Sequence, residues 1–61
     1  MANLTSKELT AIEDQLNMEQ LLVKKYKTYA GMVGDQQLKT KCEQIANKHQ
    51  AHYQRLLTYL N

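Results

Sequence analysis

The sequence predicts an all-α fold, an antiparallel two-helix hairpin, from three observations. Proline is absent, and the polar background is rich in Gln, Lys, Glu and Leu, all good helix formers. Two long stretches repeat apolar residues at alternating intervals of three and four. The two glycines, Gly31 and Gly34, fall together between those stretches, where one tight turn would stand.

Helix 1 is expected over about residues 6–33. Thr5 and Glu8 have the spacing of a capping box, and Leu4 and Leu9 then occupy the positions of a hydrophobic staple. Leu9, Ile12, Leu16, Glu19, Val23, Tyr26, Ala30 and Val33 continue as an unbroken heptad seam. Gly34 is expected to end the helix in the left-handed conformation, with Gly31 as the weaker stop, and Asp35 to cap the helix that follows. Helix 2 is expected over about residues 36–60, with Leu38, Cys42, Ile45, His49, His52, Leu56 and Tyr59 as its seam. Leu22 and Tyr29 widen the first seam, and Ala46, Tyr53 and Leu60 the second. A two-stranded coil needs only the seam itself. The wider face suits a helix with two neighbours, as in a four-helix bundle.

Residues 1–61 make a single helical hairpin, and a chain of that size buries too little apolar surface by itself to offset the entropy of ordering. Cys42 is the only cysteine, so no internal disulfide closes the core, and no Cys/His spacing marks a structural zinc. Self-association remains, and the expectation is a homodimer that closes a four-helix bundle. With no Phe or Trp, the core must be Leu, Ile, Val, Ala, Met and Tyr. Tyr26, Tyr53 and Tyr59 are expected there, with Cys42 as a small buried hydrophobe, while Met18, Leu21 and Met32 fall outside the seam.

Several classes of function are disfavoured. The apolar run Leu21-Leu22-Val23 is far short of the roughly 20 residues of a membrane span. No basic segment followed by an apolar one directs secretion, and a lone thiol fits a reducing compartment, so synthesis in the cytoplasm is expected. A net charge of +2, with Lys24, Lys25, Lys27, Lys39 and Lys41 lacking interleaved surface aromatics, argues against nucleic acid as a partner. Glu8, Glu13, Asp14 and Glu19 precede Lys24, Lys25 and Lys27, which complements the helix dipole and favours antiparallel pairing of two copies of helix 1.

Glu19, His49 and His52 bring the only carboxylate and imidazoles to the two seams. In a hairpin that turns near residues 34 and 35, Glu19 lies level with residue 50, and at about 1.5 Å per residue the three side chains fall within about one helical turn. A twofold axis at that height would bring two copies together, so that the dimer encloses two glutamates and four histidines. Carboxylate and imidazole at i, i+3 spacing on facing helices is how bundles hold di-metal centres, and iron, manganese or zinc would suit the set. A metal-free hydrogen-bonded layer that fixes helix register is the other reading. No catalytic residue is assigned.

The segment from Glu19 to Tyr26 resembles the first-helix ligand segment of rubrerythrins and other ferritin-like proteins, a Glu seven residues before a Tyr. Ile45-Ala46-Asn47-Lys48-His49-Gln50-Ala51-His52-Tyr53 is similar to their Glu-x-x-His segment, with His52 in the place of the motif histidine and His49 standing where a glutamate is expected. Nearly the whole chain resembles the Coat F type of spore coat protein from endospore-forming bacteria. The resemblance is carried by Leu4-Thr5-Ser6-Lys7-Glu8-Leu9, by Glu13-Asp14 with Leu16, and by Ile45 to Tyr53. It implies a ferritin-like helical fold and a structural role in the spore coat, a product of sporulation. With this goes the expectation of a non-enzymatic protein without a cofactor, whose partners are itself and other coat proteins. The alternatives are a small ferritin-like metal-binding or redox protein using Glu19, His49 and His52, and a bare dimerisation module.

Overall fold

The computed structural model describes residues 3–60, which form two packed helices and no strand. Helix α1 spans Ser6–Met32 and helix α2 spans Gln36–Leu57, followed by a single 3-10 turn, Thr58–Leu60.

Local chemistry sets the helix ends. The Thr5 hydroxyl accepts the Glu8 amide at 3.1 Å, and the Glu8 carboxylate accepts the Thr5 amide at 2.9 Å, so the expected capping box is complete. Asp35 caps α2 as expected, its carboxylate accepting the Leu38 amide at 3.0 Å. The turn between the helices departs from expectation. No glycine has positive φ, so Gly34 does not supply a left-handed stop, and α1 runs through Gly31. Val33 instead turns extended (φ −78°, ψ 140°) while its amide still reaches the Tyr29 carbonyl, and Asp35 is extended as well. Two extended residues around Gly34 redirect the chain without a left-handed residue. At the far end α2 tightens before Leu60, with the Thr58 amide bonding to the Arg55 and Leu56 carbonyls and its hydroxyl donating to Arg55.

On α1 the middle of the expected seam is the buried line, with Leu16, Glu19, Val23 and Ala30 enclosed, whereas Leu9, expected on the same seam, is 40% exposed at the open N-terminal end. On α2 the contact with α1 is rotated by one column. Ala46, expected as a flank, is 1% exposed and the most enclosed residue described, whereas the seam residues Leu38 and Tyr59 are 56% and 50% exposed. Cys42, His49, Tyr53, Leu56 and Leu60 are half-buried along the same rotated line. The small Ala46 side chain lets the helices approach closely there, and the choice of that line turns Leu38, Ile45, His52 and Tyr59, seven residues apart, toward one side of the hairpin. Tyr59 is therefore not a core residue, while Tyr26 and Tyr53 are half-buried. Met18, Leu21 and Met32 are exposed.

The two sides of the hairpin differ in chemistry. On one, Gln20 donates to the Tyr53 hydroxyl at 3.1 Å, and Lys24, Lys27, Thr28 and Gln50, with Val23, line a shallow groove. On the other, Tyr29 packs edge-on against Tyr26, which lies over His49, and His49 meets His52 edge-on. Lys25 lays its ammonium 5.7 Å and 5.9 Å from the Tyr26 and Tyr29 ring centres. The pair is elongated, with a radius of gyration of 14.3 Å against about 10.5 Å for a compact domain of this length.

Because Ala46 occupies the close approach, Ala46→Leu should overpack it and cost about 1–3 kcal/mol. Leu16→Ala should cost about 2–5 kcal/mol through loss of enclosed volume. Gln54→Ala, on the exposed face, should change stability by no more than about 0.5 kcal/mol. Urea unfolding followed by circular dichroism measures all three, and equal sensitivity at Ala46 and Gln54 would refute the assigned contact line.

Candidate functional site

Glu19 is the one charged residue enclosed among the described residues, 6% exposed between the turns that carry Leu16 and Val23. A carboxylate without partners there would be strongly unfavourable, and three side chains address it. His49 Nδ1 donates to Oε1 at 2.6 Å. Gln15, one turn earlier on α1, donates its amide to Oε2 at 3.1 Å. His52 Nδ1 stands 3.5 Å from Oε2 as an ion-pair neighbour, and no hydrogen bond joins them. Among the described residues no enclosed side-chain polar atom lacks a hydrogen-bond partner.

Each part is positioned by its element. Glu19 lies on the α1 seam, and His49 and His52 are one turn apart on α2 and so share a face. The His49 ring lies 6.3 Å from the Tyr26 ring with the planes 18° apart, and 5.6 Å from the His52 ring at 84°. His49 is thus held between two rings, while His52 sits at the edge with its side chain 53% exposed. The structure brings together all three residues singled out in the sequence, with one nitrogen or oxygen of each within 4.8 Å of the others. Sequence reasoning missed Gln15 and the contact of Tyr26 with His49. Gln15 is four residues before Glu19, which was a readable signal for a side-chain hydrogen bond along one helix face.

Burial pushes the Glu19 pKa up, but the hydrogen bonds from His49 and Gln15 and the fields of the two imidazoles outweigh it, leaving the group below its ordinary value. Cys42 is half-buried and unpaired by disulfide. No helix among the described residues is long and apolar enough to cross a membrane.

No family model, no curated protein and no solved structure matches this chain.

Because folding lowers the Glu19 pKa, its charged form favours the folded state. That contribution is complete above about pH 4.5, the ordinary carboxylate value, and is lost as the pH falls through the lower folded value. With chelator present, the stability of Glu19→Gln relative to the parent should improve as the pH falls below that point. Urea midpoints across the acid range would show it, and a difference independent of pH would mean that Glu19 gains nothing from its partners.

Proposed function

We propose that the chain is a structural building block that self-associates, two copies packing face to face to close a ferritin-like four-helix bundle that serves in the spore coat. The observation that carries the self-association is the amount of surface the hairpin leaves open. It exposes 4901 Å², against about 4,100 Å² for a compact protein of 7.1 kDa. The excess, about 800 Å², is what one partner contributes to a standard stable interface.

The open surface also has the right chemistry in the right place. Leu22 and Tyr29 from α1 share the aromatic side of the hairpin with Leu38 and Ile45 from α2 and Tyr59 from the 3-10 turn that follows it. Among the described residues the enclosed apolar side chains are only Leu16, Val23, Ala30 and Ala46, so a second copy would at least double the core. A second copy also answers the charge order along α1, acidic in its first half and basic in its second, because antiparallel pairing sets each half against its opposite.

The spore-coat assignment is supported by the resemblance of Leu4 to Leu9 and of Ile45 to Tyr53 to the Coat F type, together with a chain that gathers apolar surface for assembly. Other coat proteins are the further partners in this reading, with cytoplasmic synthesis before deposition and no catalytic residue.

Melting followed over a concentration series tests the assembly. Each tenfold dilution should lower the midpoint by roughly 4–6 °C, since dissociation accompanies unfolding. Sedimentation equilibrium should give twice the chain mass, and Ile45→Lys, which places a charge in the middle of the open face, should give the chain mass. A monomer with a concentration-independent midpoint would overturn the reading.

A further inference from the structure

We propose that Glu19, His49 and His52 form a mononuclear site for a borderline divalent transition ion of the Zn²⁺ class, held within one hairpin by the carboxylate and the two imidazole Nδ1 atoms. This goes beyond self-association and does not depend on it, since all three donors belong to one chain.

The arrangement contains more than a polar layer requires. Gln15 and His49 already supply Glu19 with a donor on each oxygen. His52 adds no hydrogen bond, yet it turns Nδ1, the same atom that His49 presents, toward the same carboxylate, 3.5 Å from Oε2. A second imidazole converging on an already satisfied anion brings two ring nitrogens and a carboxylate to a common point, where an ion would take the place of the Nδ1 proton that His49 gives to Oε1, with the ring hydrogen then on Nε2.

The spacing is near that of an ion's ligands and reaches it by small side-chain shifts. Two donors about 2.0–2.1 Å from a tetrahedral metal are about 3.4 Å apart. The two imidazole nitrogens stand 2.6 Å and 3.5 Å from the carboxylate oxygens, and the whole set lies within 4.8 Å. To match tetrahedral geometry the His49 pair must open by about 0.8 Å and a pair as wide as 4.8 Å must close by about 1.4 Å, and His52, at the exposed edge, is the side chain with room to swing. His49 is held by Tyr26 and Glu19 by Gln15, so two of the three donors are oriented by neighbours that do not themselves bind, the support that ligand sets require.

The donor set also fixes the class of ion. Two imidazoles and a carboxylate suit Zn²⁺, Fe²⁺ and Co²⁺, with Mn²⁺ weaker along the usual order of affinities, whereas Mg²⁺ and Ca²⁺ require oxygen ligands. Three protein ligands leave a coordination position open on the side where His52 meets solvent. Because Glu19 comes from α1 and the histidines from α2, an ion bound there ties the helices together at mid-height and should stabilise the fold by its binding.

The experiment uses untagged protein stripped with chelator and titrated with Zn²⁺ by calorimetry and with Co²⁺ by visible absorption. One ion per chain is expected, with the intense visible bands of four-coordinate Co²⁺ and a melting midpoint raised by Zn²⁺ and not by Mg²⁺. His52→Ala should weaken binding by about tenfold or more and abolish the rise. Since His52 is half-exposed and unbonded, the variant should keep its helical circular dichroism, which separates lost ligation from lost folding. His49→Gln provides a second ligand deletion that retains a hydrogen-bonding group. Absence of saturable binding, an equal rise with Mg²⁺, half an ion per chain, or undiminished affinity in His52→Ala would each overturn the proposal.

Discussion

Two helices can share only one line of contact, and the rest of this structure depends on which line they choose. A helix with an apolar arc wider than that line must leave part of it uncovered. On α2 the arc runs from Ala46 through Cys42 and His49 to Ile45 and His52, and the hairpin encloses its Ala46 edge, half-covers Cys42, His49 and Ile45, and leaves His52 exposed. On α1 it runs from Val23 through Glu19 and Tyr26 to Leu22 and Tyr29, and the Val23 edge is covered. Both uncovered edges lie on the same side because the rings of Tyr29, Tyr26, His49 and His52 connect across it. The groove of Gln20, Lys24, Lys27 and Gln50 occupies the other side. The hairpin is therefore two-faced, and the position of Ala46 makes it so.

Glu19 sits where the covered and uncovered regions meet. An apolar residue there would serve the contact line more cheaply, because isolating a carboxylate from water exceeds most of what its partners return. Its retention is understandable only through the groups that reach it: Gln15 from its own helix, His49 from the contact line and His52 from the open side. The same carboxylate thus links the inner surface of the hairpin to the outer one.

What the sequence made legible was whatever depended on neighbours along the chain. The Thr5–Glu8 capping box and the Asp35 cap follow from hydrogen bonds three residues long, and both are present. The level placement of Glu19 against His49 and His52 follows from helical rise alone once the turn is located. What stayed hidden depended on competition between surfaces. Two heptad lines on α2 share Cys42, His49 and Leu56. Choosing between Ile45 and Ala46 as the inner column requires knowing how closely α1 can approach, and no periodicity contains that distance. The end of α1 was hidden for a similar reason. A glycine permits a left-handed stop without requiring one, and here the extended Val33 and Asp35 suffice.

The rotation of α2 also couples the two proposals physically while leaving them separately testable. His52 belongs to the column of Leu38, Ile45 and Tyr59, so a second copy that covers this column also covers the exposed edge of the imidazole. Covering it removes water from the open coordination position and strengthens every electrostatic contact to Glu19, since the local dielectric falls. An ion bound in the isolated hairpin would exchange with solvent through that edge, and assembly would close the route. The reverse holds by linkage: an ion that fixes His52 against Glu19 orders one side chain of the surface that must pair, so it favours association by whatever factor association favours the ion. A residue expected to lie in the core and found at its margin is thus the one through which assembly and ligation would act on each other.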